Sequence, residues 1–455
     1  MNVHDLHSTP FTVIGAARSG VAAAELLASR GAQVFVSDLQ PAKKLQKELR
    51  ALAEKKISVE TGGHTERVYN CSFMVISPGV PGNAPVVLRA LERKIKVVSE
   101  LEAASWFCPC PIVAVTGSNG KTTTTTLIGR ILGDAKKKHV VAGNIGTAFS
   151  SVVLELDQTS LAVLEVSSFQ LDHCETFRPS VSVILNITED HMDRYNHSME
   201  QYAASKARVF MNQGKGDTVI YSADDEWTVR TIGAAKARMI PFSYHRSFDE
   251  GAFAENDKLV LSLNGKRSAV IPLDEISING IHNAYNAMAA ALVGSLFGAS
   301  NASIRNTLRN FKGVEHRLEF VKEVNGVRYV NDSKATNVDS VWYALQAFQQ
   351  PLVVLIGGRD KGNDYGRLKE LVQARVKAIV AIGESAAKVD EAFNKVTRVV
   401  TATSMEEAVT RASGLATKGD VVLLSPACAS FDWFQNYEHR GRVFKKLVGD
   451  LKETN

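Results

Sequence analysis

Val-Ala-Val-Thr-Gly-Ser-Asn-Gly-Lys-Thr-Thr, residues 113 to 123, is the stretch on which the reading of this chain turns. Its first residues are apolar or β-branched, as in a buried strand; two glycines interrupt them, and Lys-Thr-Thr opens a helix reaching about Asp134. Gly117 and Gly120 let the backbone curl closely enough for amides to face phosphate oxygens, with Ser118, Asn119 and Thr123 completing the cradle. Lys121 supplies a cation, Thr122 a hydroxyl for Mg²⁺, and the helix its positive N-terminus. The chain therefore handles a nucleoside triphosphate. Position 115 is Val where the longer G-x-x-x-x-G-K-[ST] form has glycine, so this is the shorter T-G-x-x-G-K-T loop.

On both sides of this loop, strands alternate with helices. Upstream, Phe11 to Gly15 reads as a strand, Gly20 to Ser29 as a helix and Gln33 to Ser37 as a second strand ending at Asp38, a Rossmann-like opening. The loop Gly15 to Gly20 lacks the middle glycine of G-x-G-x-x-G, which weakens a dinucleotide reading. A third strand, Phe73 to Ser77, runs into the rigid turn Pro78-Gly79-Val80-Pro81, at the strand end where open α/β sheets bind ligands. Downstream, strands are expected at Val140 to Ala142, Leu161 to Glu165, Val181 to Leu185 and Thr218 to Tyr221. Asn264-Gly265 marks an antiparallel hairpin between Leu259 to Leu263 and Ser268 to Ile271. Ser198 to Gln201 and Ser404 to Glu407 have the spacing of capping boxes. From Val314 onward the pattern is βαβαβ, with strands near 328–330, 352–356, 378–382, 399–401 and 421–425. Parallel sheets covered on both faces follow from this alternation.

At 455 residues the chain has length for about three domains of roughly 150 residues each. The divisions expected are 1–99, 100–313 and 314–455, Rossmann-like at both ends and P-loop in the middle. Lys and Arg exceed Asp and Glu by 53 to 48, a mild excess that suits anionic substrates. No basic arm and no interleaving of aromatic with basic residues is present, so nucleic acid is not an expected partner. Five cysteines without metal-site spacing read as free thiols of a reducing compartment. The N-terminus does not resemble a signal peptide, and the longest apolar helical stretch, 287–299, is too short to span a bilayer. A cytoplasmic location and a monomer are expected.

Beyond the loop, Glu165 ends its strand where P-loop sheets place a metal-linked acid. Glu189, Asp190, His191 and Asp193 then cluster behind another buried strand, oxygen and imidazole donors of the kind that hold Mg²⁺ or Mn²⁺, or simply an acidic loop.

In order along the chain stand T-G-S-N-G-K-T-T at 116–123, G-N-I-G at 143–146, L-E-V-S-S-F-Q-L at 164–171 and N-I-T-E-D-H-M-D-R-Y at 186–195. They continue as G-I-H-N-A-Y-N-A at 280–287, E-H-R-L-E at 315–319, N-D-S-K-A-T-N at 331–337, L-S-P-A-C-A-S-F-D at 424–432 and N-Y-E-H-R-G at 436–441. This series resembles the Mur ligases over nearly the whole chain, and the last two motifs are similar to those of the branch that adds D-glutamate. The resemblance implies an ATP-dependent amide synthesis on UDP-N-acetylmuramoyl-L-alanine through an acyl phosphate, in peptidoglycan precursor synthesis. It implies two Mg²⁺ ions, held by Thr122, Glu165, His191 and a Lys206 carbamylated by CO₂, with Lys121 on the transferring phosphoryl group. Asn283, Asn286, Arg317 and Asp332 would surround ATP. Arg18, Ser19, Asp38, Ser77 and Gly79 would take the UDP group, with Asn144 and His191 facing the muramoyl part. Lys334, Thr336, Ser430 and Phe431 would recognise D-glutamate, with Tyr437 packing nearby. After Asp38 this chain has Leu39 and Gln40 where familiar members have Thr-Arg.

Three other readings stay open at this point. A different Mur-type or folylpolyglutamate-type ligase would share the central chemistry but bind another acceptor. A P-loop switch or motor would hydrolyse ATP in response to a macromolecule. A nicotinamide dehydrogenase built on Gly15 to Gly20 would leave Lys121 and the Glu165 to Lys206 constellation without a task.

Overall fold

In the computed structural model the described residues are 6–144, 146–278, 280–360 and 362–453, so Ile145 of the Gly-Asn-Ile-Gly motif lies outside them. Three sheets organise the chain. The first holds β1 (Pro10–Ile14), β2 (Gln33–Asp38), β3 (Ser58–Thr61), β4 (Phe73–Ile76) and β5 (Lys96–Ser99), all parallel, in the order β3-β2-β1-β4-β5. Its alternating residues feed two cores: Phe11, Val13, Val36 and Val75 on one face, Ile14, Phe35, Met74 and Ile76 on the other. Burial on both faces is why these strands read as continuous apolar runs.

The second sheet holds β6 (Ile112–Thr116), β7 (His139–Gly143), β8 (Leu161–Glu165), β9 (Val181–Ile184), β10 (Thr218–Ser222), β11 (Arg238–Ser243), β12 (Gly251–Glu255), β13 (Lys258–Leu263) and β14 (Lys266–Pro272). Their order is β14-β13-β12-β11-β10-β9-β6-β8-β7, parallel except for the antiparallel meander β12-β13-β14. The expected hairpin is there, its turn made by Asn264 and Gly265, both at positive φ.

The third sheet holds β15 (Glu319–Val324), β16 (Val327–Asn331), β17 (Leu352–Gly357), β18 (Val376–Ile382), β19 (Arg398–Thr401) and β20 (Val421–Leu424), in the order β15-β16-β20-β17-β18-β19. Leu352, Val354 and Ile356 pack on one face and Val353 and Leu355 on the other. The βαβαβ reading omitted β15, which pairs antiparallel with β16. Its turn is Asn325-Gly326, again with both residues at positive φ, but charged residues interrupt its apolar pattern.

The capping at Ser404 is not reciprocal, although its spacing is that of a box. Ser404 accepts from the Glu407 N–H, yet the Glu407 carboxylate turns to Thr403, taking its N–H and its hydroxyl at 2.7 Å each. A complete reciprocal box forms instead at Ser167 and Gln170, directly after β8.

The chain separates into two compact units: Met1–Ile187 with Glu200–Leu273 and Tyr285–Leu308, and Thr188–Met199 with Asp274–Ala284 and Arg309–Asn455. The first contains the first two sheets, the second the third sheet. Among the described residues no helix is long and apolar enough to cross a membrane, and all five cysteines are free thiols.

Candidate active site

In the first unit the loop after β6 is shaped by its two glycines. Gly117 sits at φ +146° and Gly120 at +84°; a Cβ on Gly120 would lie 2.3 Å from Asn286 Oδ1, so no larger residue fits there. Asn186, two residues beyond β9, holds the loop: its carbonyl accepts the Ser118 N–H at 2.9 Å and its side chain the Asn119 N–H at 2.8 Å. Those two amides therefore hold the loop in shape instead of pointing at a ligand. The helix Lys121–Asp134 begins just after them, and its N-terminus is the part of this loop suited to an anion.

Lys121 curls back over its own loop, its ammonium donating to Gly117 O at 2.7 Å and Ser118 O at 2.8 Å. Lys206, on the helix Met199–Ala207 and 1% exposed, donates to the same Gly117 oxygen at 2.9 Å and lies 4.3 Å from the centre of the Tyr202 ring. Two ammonium groups thus meet at one carbonyl, that of Lys206 buried and that of Lys121 half-buried. Beside them, Thr122 Oγ1 donates to Glu165 Oε2 at 2.7 Å and Asn144 Nδ2 donates to Glu165 Oε1 at 3.0 Å. Thr122 and Glu165 are both 2% exposed. Gly143 makes room for this junction, since a Cβ there would stand 2.3 Å from Glu165 O. Asn286 accepts from Thr124 Oγ1 at 3.1 Å, bracing the helix start.

A separate cavity of about 560 Å³ opens at the carboxyl ends of the first sheet, lined by Arg18, Ser19, Asp38, Ser77, Gly79 and Asn144 among others. Gly15 and Gly20 meet here: a Cβ on Gly20 would overlap Gly15 O at 1.7 Å, so Ala17 in place of a middle glycine costs nothing while these two are indispensable. The Asp38 oxygens accept the N–H groups of Ala16 at 2.6 Å and Gln40 at 2.7 Å, tying the loop after β1 to the turn after β2.

In the second unit His191 occupies the left-handed region at φ +56°, its N–H on Asp190 Oδ1 at 2.9 Å and its ring 3.5 Å from Asp190 Oδ2. Asn337 donates to that same Asp190 oxygen at 3.1 Å, which ties the acidic loop to the start of the helix Val338–Gln346. Asn283 and Arg317 line a cavity of about 400 Å³. Asp332 is buried behind it, accepting from Leu318 N at 3.3 Å and Ser425 Oγ at 2.9 Å; desolvation, against Ser425 and Arg317, pushes its carboxyl up to about 7.

Lys334 places its ammonium 5.1 Å from the centre of the Tyr437 ring; Thr336 is half-buried, Ser430 is buried and Phe431 is 60% exposed. What joins these loops is Arg440, to which the sequence assigned no role. It is 1% exposed and donates to Ser333 Oγ (3.0 Å), Ser333 O (2.7 Å) and Cys428 O (3.1 Å), fixing the residue before Lys334 and the one two positions before Ser430. Only its place in the N-Y-E-H-R-G motif signalled it. Asn186, likewise unassigned, was visible as a residue closely following a buried strand.

A parallel sheet whose phosphate-type loop converges with a buried threonine–glutamate pair, in a chain that carries two further α/β sheets, defines a multidomain P-loop enzyme. Profiles of the MurD N-terminal domain, the Mur ligase middle domain and the Mur ligase glutamate ligase domain match residues 12–86, 115–294 and 316–428. The UDP-N-acetylmuramoylalanine–D-glutamate ligase of Salinibacter ruber is 48% identical over 99% of this chain and all of its own length. That of Chloroherpeton thalassium is 45% identical over 96% of this chain and 97% of its own. Among solved structures, UDP-N-acetylmuramate-alanine ligase MurC from Thermotoga maritima shares the fold, with TM-score 0.62, 18% identity and coverage of 98% of this chain and 100% of that one. The chain belongs to the Mur ligase family, and it is a ligase.

Proposed function

We propose that this enzyme joins the amino group of D-glutamate to the alanyl carboxylate of UDP-N-acetylmuramoyl-L-alanine, cleaving ATP to ADP and phosphate, as a cytoplasmic monomer that supplies cell-wall precursor. The observation that carries the reading is the junction of Lys121, Thr122, Glu165 and Lys206 on one loop, taken with the relatives named above. Domains bounded at 1–99, 100–313 and 314–455 would divide the labour into UDP binding, ATP binding and amino-acid binding.

A carboxylate cannot expel oxide, so its oxygen first attacks the γ-phosphorus and ADP leaves. The glutamate nitrogen then adds to the acyl carbon, loses its proton, and phosphate departs with the amide formed. Lys121 and the helix amides following Gly120 would stabilise charge on the transferring phosphoryl group. Asn283, Asn286, Arg317 and Asp332 would hold the nucleotide. Lys334, Thr336, Ser430 and Phe431 would present the glutamate amine, and Asn144 with His191 would orient the muramoyl end.

The donor set fits Mg²⁺: Thr122 and Glu165 offer adjacent hard oxygens in a buried site, and bound ions would offset the repulsion between two anionic reactants. Lys206 fits a carbamate. As an ammonium it competes with Lys121 for Gly117 O; as a carbamate it would attract Lys121 and, with His191, complete an oxygen and nitrogen donor set for a second ion.

The test is phosphate release from ATP and Mg²⁺ with UDP-N-acetylmuramoyl-L-alanine, comparing D-glutamate with L-glutamate, L-alanine and a diamino acid. Release that requires both the muramoyl substrate and D-glutamate supports the reading; release indifferent to either overturns it.

A further inference from the structure

The cavity at the carboxyl ends of the first sheet contains a histidine that neither the motifs nor the reaction above uses. His64 lies on the loop after β3, and with Asp38, Leu39 and Gln40 it forms one end of that cavity. The strand order β3-β2-β1 fixes which end. The glycine loop leaves β1, Asp38 closes β2, and His64 follows β3, so a UDP group with its diphosphate on the glycine loop and its ribose near Asp38 extends its base toward His64. The neighbouring wall is apolar, built from Pro78, Val80, Pro81 and Val86, and suits a flat ring.

The hydrogen bonds around His64 determine what it offers. Ser37 is fully buried, and its hydroxyl lies 2.7 Å from Glu60 Oε1 and 2.7 Å from His64 Nδ1. Glu60 also takes the N–H and hydroxyl of Thr65, at 3.0 and 2.7 Å. Although partial burial works against it, these bonds from Thr65 and Ser37 hold the Glu60 carboxyl below its ordinary range. An ionised carboxylate only accepts, as does the Gly63 carbonyl 3.4 Å from the same hydroxyl, so the single Ser37 proton goes to one of these and not to His64. Ser37 Oγ is then an acceptor toward His64, and Nδ1 must carry the imidazole proton. Burial, against Glu60 and Asp38, keeps the ring neutral by lowering its affinity for a second proton. The remaining nitrogen, Nε2, is left as a bare acceptor on the ring that lines the cavity.

We propose that His64 determines the base specificity of this enzyme, its Nε2 accepting the imide N3–H of uracil, so that uridine substrates are taken and cytidine substrates refused. Cytosine presents a lone pair at N3, and two facing acceptors repel. The Ser37–Glu60–Thr65 chain is the positioning apparatus: it fixes both the ring orientation and the tautomer. The inference rests on the proposed UDP-linked substrate and adds the group that recognises its base.

Binding of UDP and of CDP to the full-length chain, measured by calorimetry, tests it, together with the KM of the muramoyl substrate. The unaltered protein should prefer UDP by roughly tenfold or more, the scale set by a site built to pair with an N–H that the rival lacks. His64→Leu should weaken UDP binding and raise KM by about tenfold, with CDP binding nearly unchanged, so that the preference collapses. A His64→Leu protein that keeps both the preference and the KM overturns the proposal. Nitrogen NMR of histidine-labelled unaltered protein gives an answer independent of the variant's folding. An Nδ1–H tautomer whose Nε2 resonance moves with UDP but not with CDP supports the proposal, while an Nε2–H tautomer or an unmoved signal refutes it. Equal binding of UDP and CDP removes this inference and leaves the ligase reading standing; no binding of UDP or of the muramoyl substrate removes both.

Discussion

Replacing Arg440 by Met tests whether the loops proposed to hold D-glutamate are positioned by one buried guanidinium. The side chain makes three hydrogen bonds, two to Ser333 and one to Cys428 O, at 2.7–3.1 Å. Bonds to a charged group contribute roughly 1.5–3 kcal/mol each, so the gross loss is about 4–9 kcal/mol. Against this stands the burial of the cation: desolvation pushes the Arg440 guanidinium down to about 10 from 12.5, a cost of about 3 kcal/mol that the substitution removes. A net destabilisation of about 1–6 kcal/mol follows, measurable as a lowered urea midpoint at constant slope. The functional effect should be selective. Ser333 adjoins Lys334 and Cys428 stands two residues before Ser430, so KM for D-glutamate should rise at least tenfold while KM for the muramoyl substrate, for which other residues are proposed, stays within about twofold. Arg440→Lys should recover part of the stability and little of the glutamate affinity, because one ammonium cannot span both loops with the geometry of a planar fork. An Arg440→Met protein with unchanged urea midpoint and unchanged KM for D-glutamate would refute the reasoning.

Asp332 keeps its proton in the folded state up to about 7, whereas the unfolded carboxyl releases it near 3.8; the native state thus binds the extra proton in that window, and stability falls as pH rises through it. Asp332→Asn should flatten this slope between about pH 4 and pH 7, and denaturation curves with an undiminished slope would count against the assignment. Glu165→Gln, which keeps an acceptor for Thr122 but loses the charge, should leave stability within about 1 kcal/mol and lower turnover by about 10²-fold or more, with a raised Mg²⁺ requirement; full turnover at ordinary Mg²⁺ contradicts the proposed role. Lys206→Ala should lose activity and regain some with added short carboxylates in the phosphate-release assay, and a fully active variant without additive disproves the carbamate.

The sequence carried the fold wherever burial on both faces produced uninterrupted apolar strands. Leu161–Glu165 lies where its pattern put it, and β9, β17 and β18 begin and end within two residues of theirs. It failed where one face is wet or the strand is short. β15, Glu-Phe-Val-Lys-Glu-Val, alternates too irregularly to read as a strand, although Asn325-Gly326 stood beside it as a hairpin signal. β3 is only four residues long, half exposed, and its absence from the reading concealed the loop that bears His64.

The candidate site divides along a different line. Residues that work through short-range geometry, the glycines, Lys121 and Thr122, are legible because their spacing along the chain is their spacing in the loop. Glu165 joins them because a strand's end is predictable. Arg440 and His64 work instead through partners brought to them by the sheets. Arg440 needs Ser333, 107 residues away, and the tautomer of His64 is set by Ser37 and Glu60 on neighbouring parallel strands. Nothing in the local sequence of either distinguishes a solvated side chain from a positioned one, since burial supplies both the cost that demands a partner and the rigidity that makes the partner's geometry useful. Long-range hydrogen bonding decides which donor or acceptor a side chain has left to offer, and that is why a chain whose phosphate loop is readable at once can keep its base and amino-acid specificities hidden until the sheets are assembled.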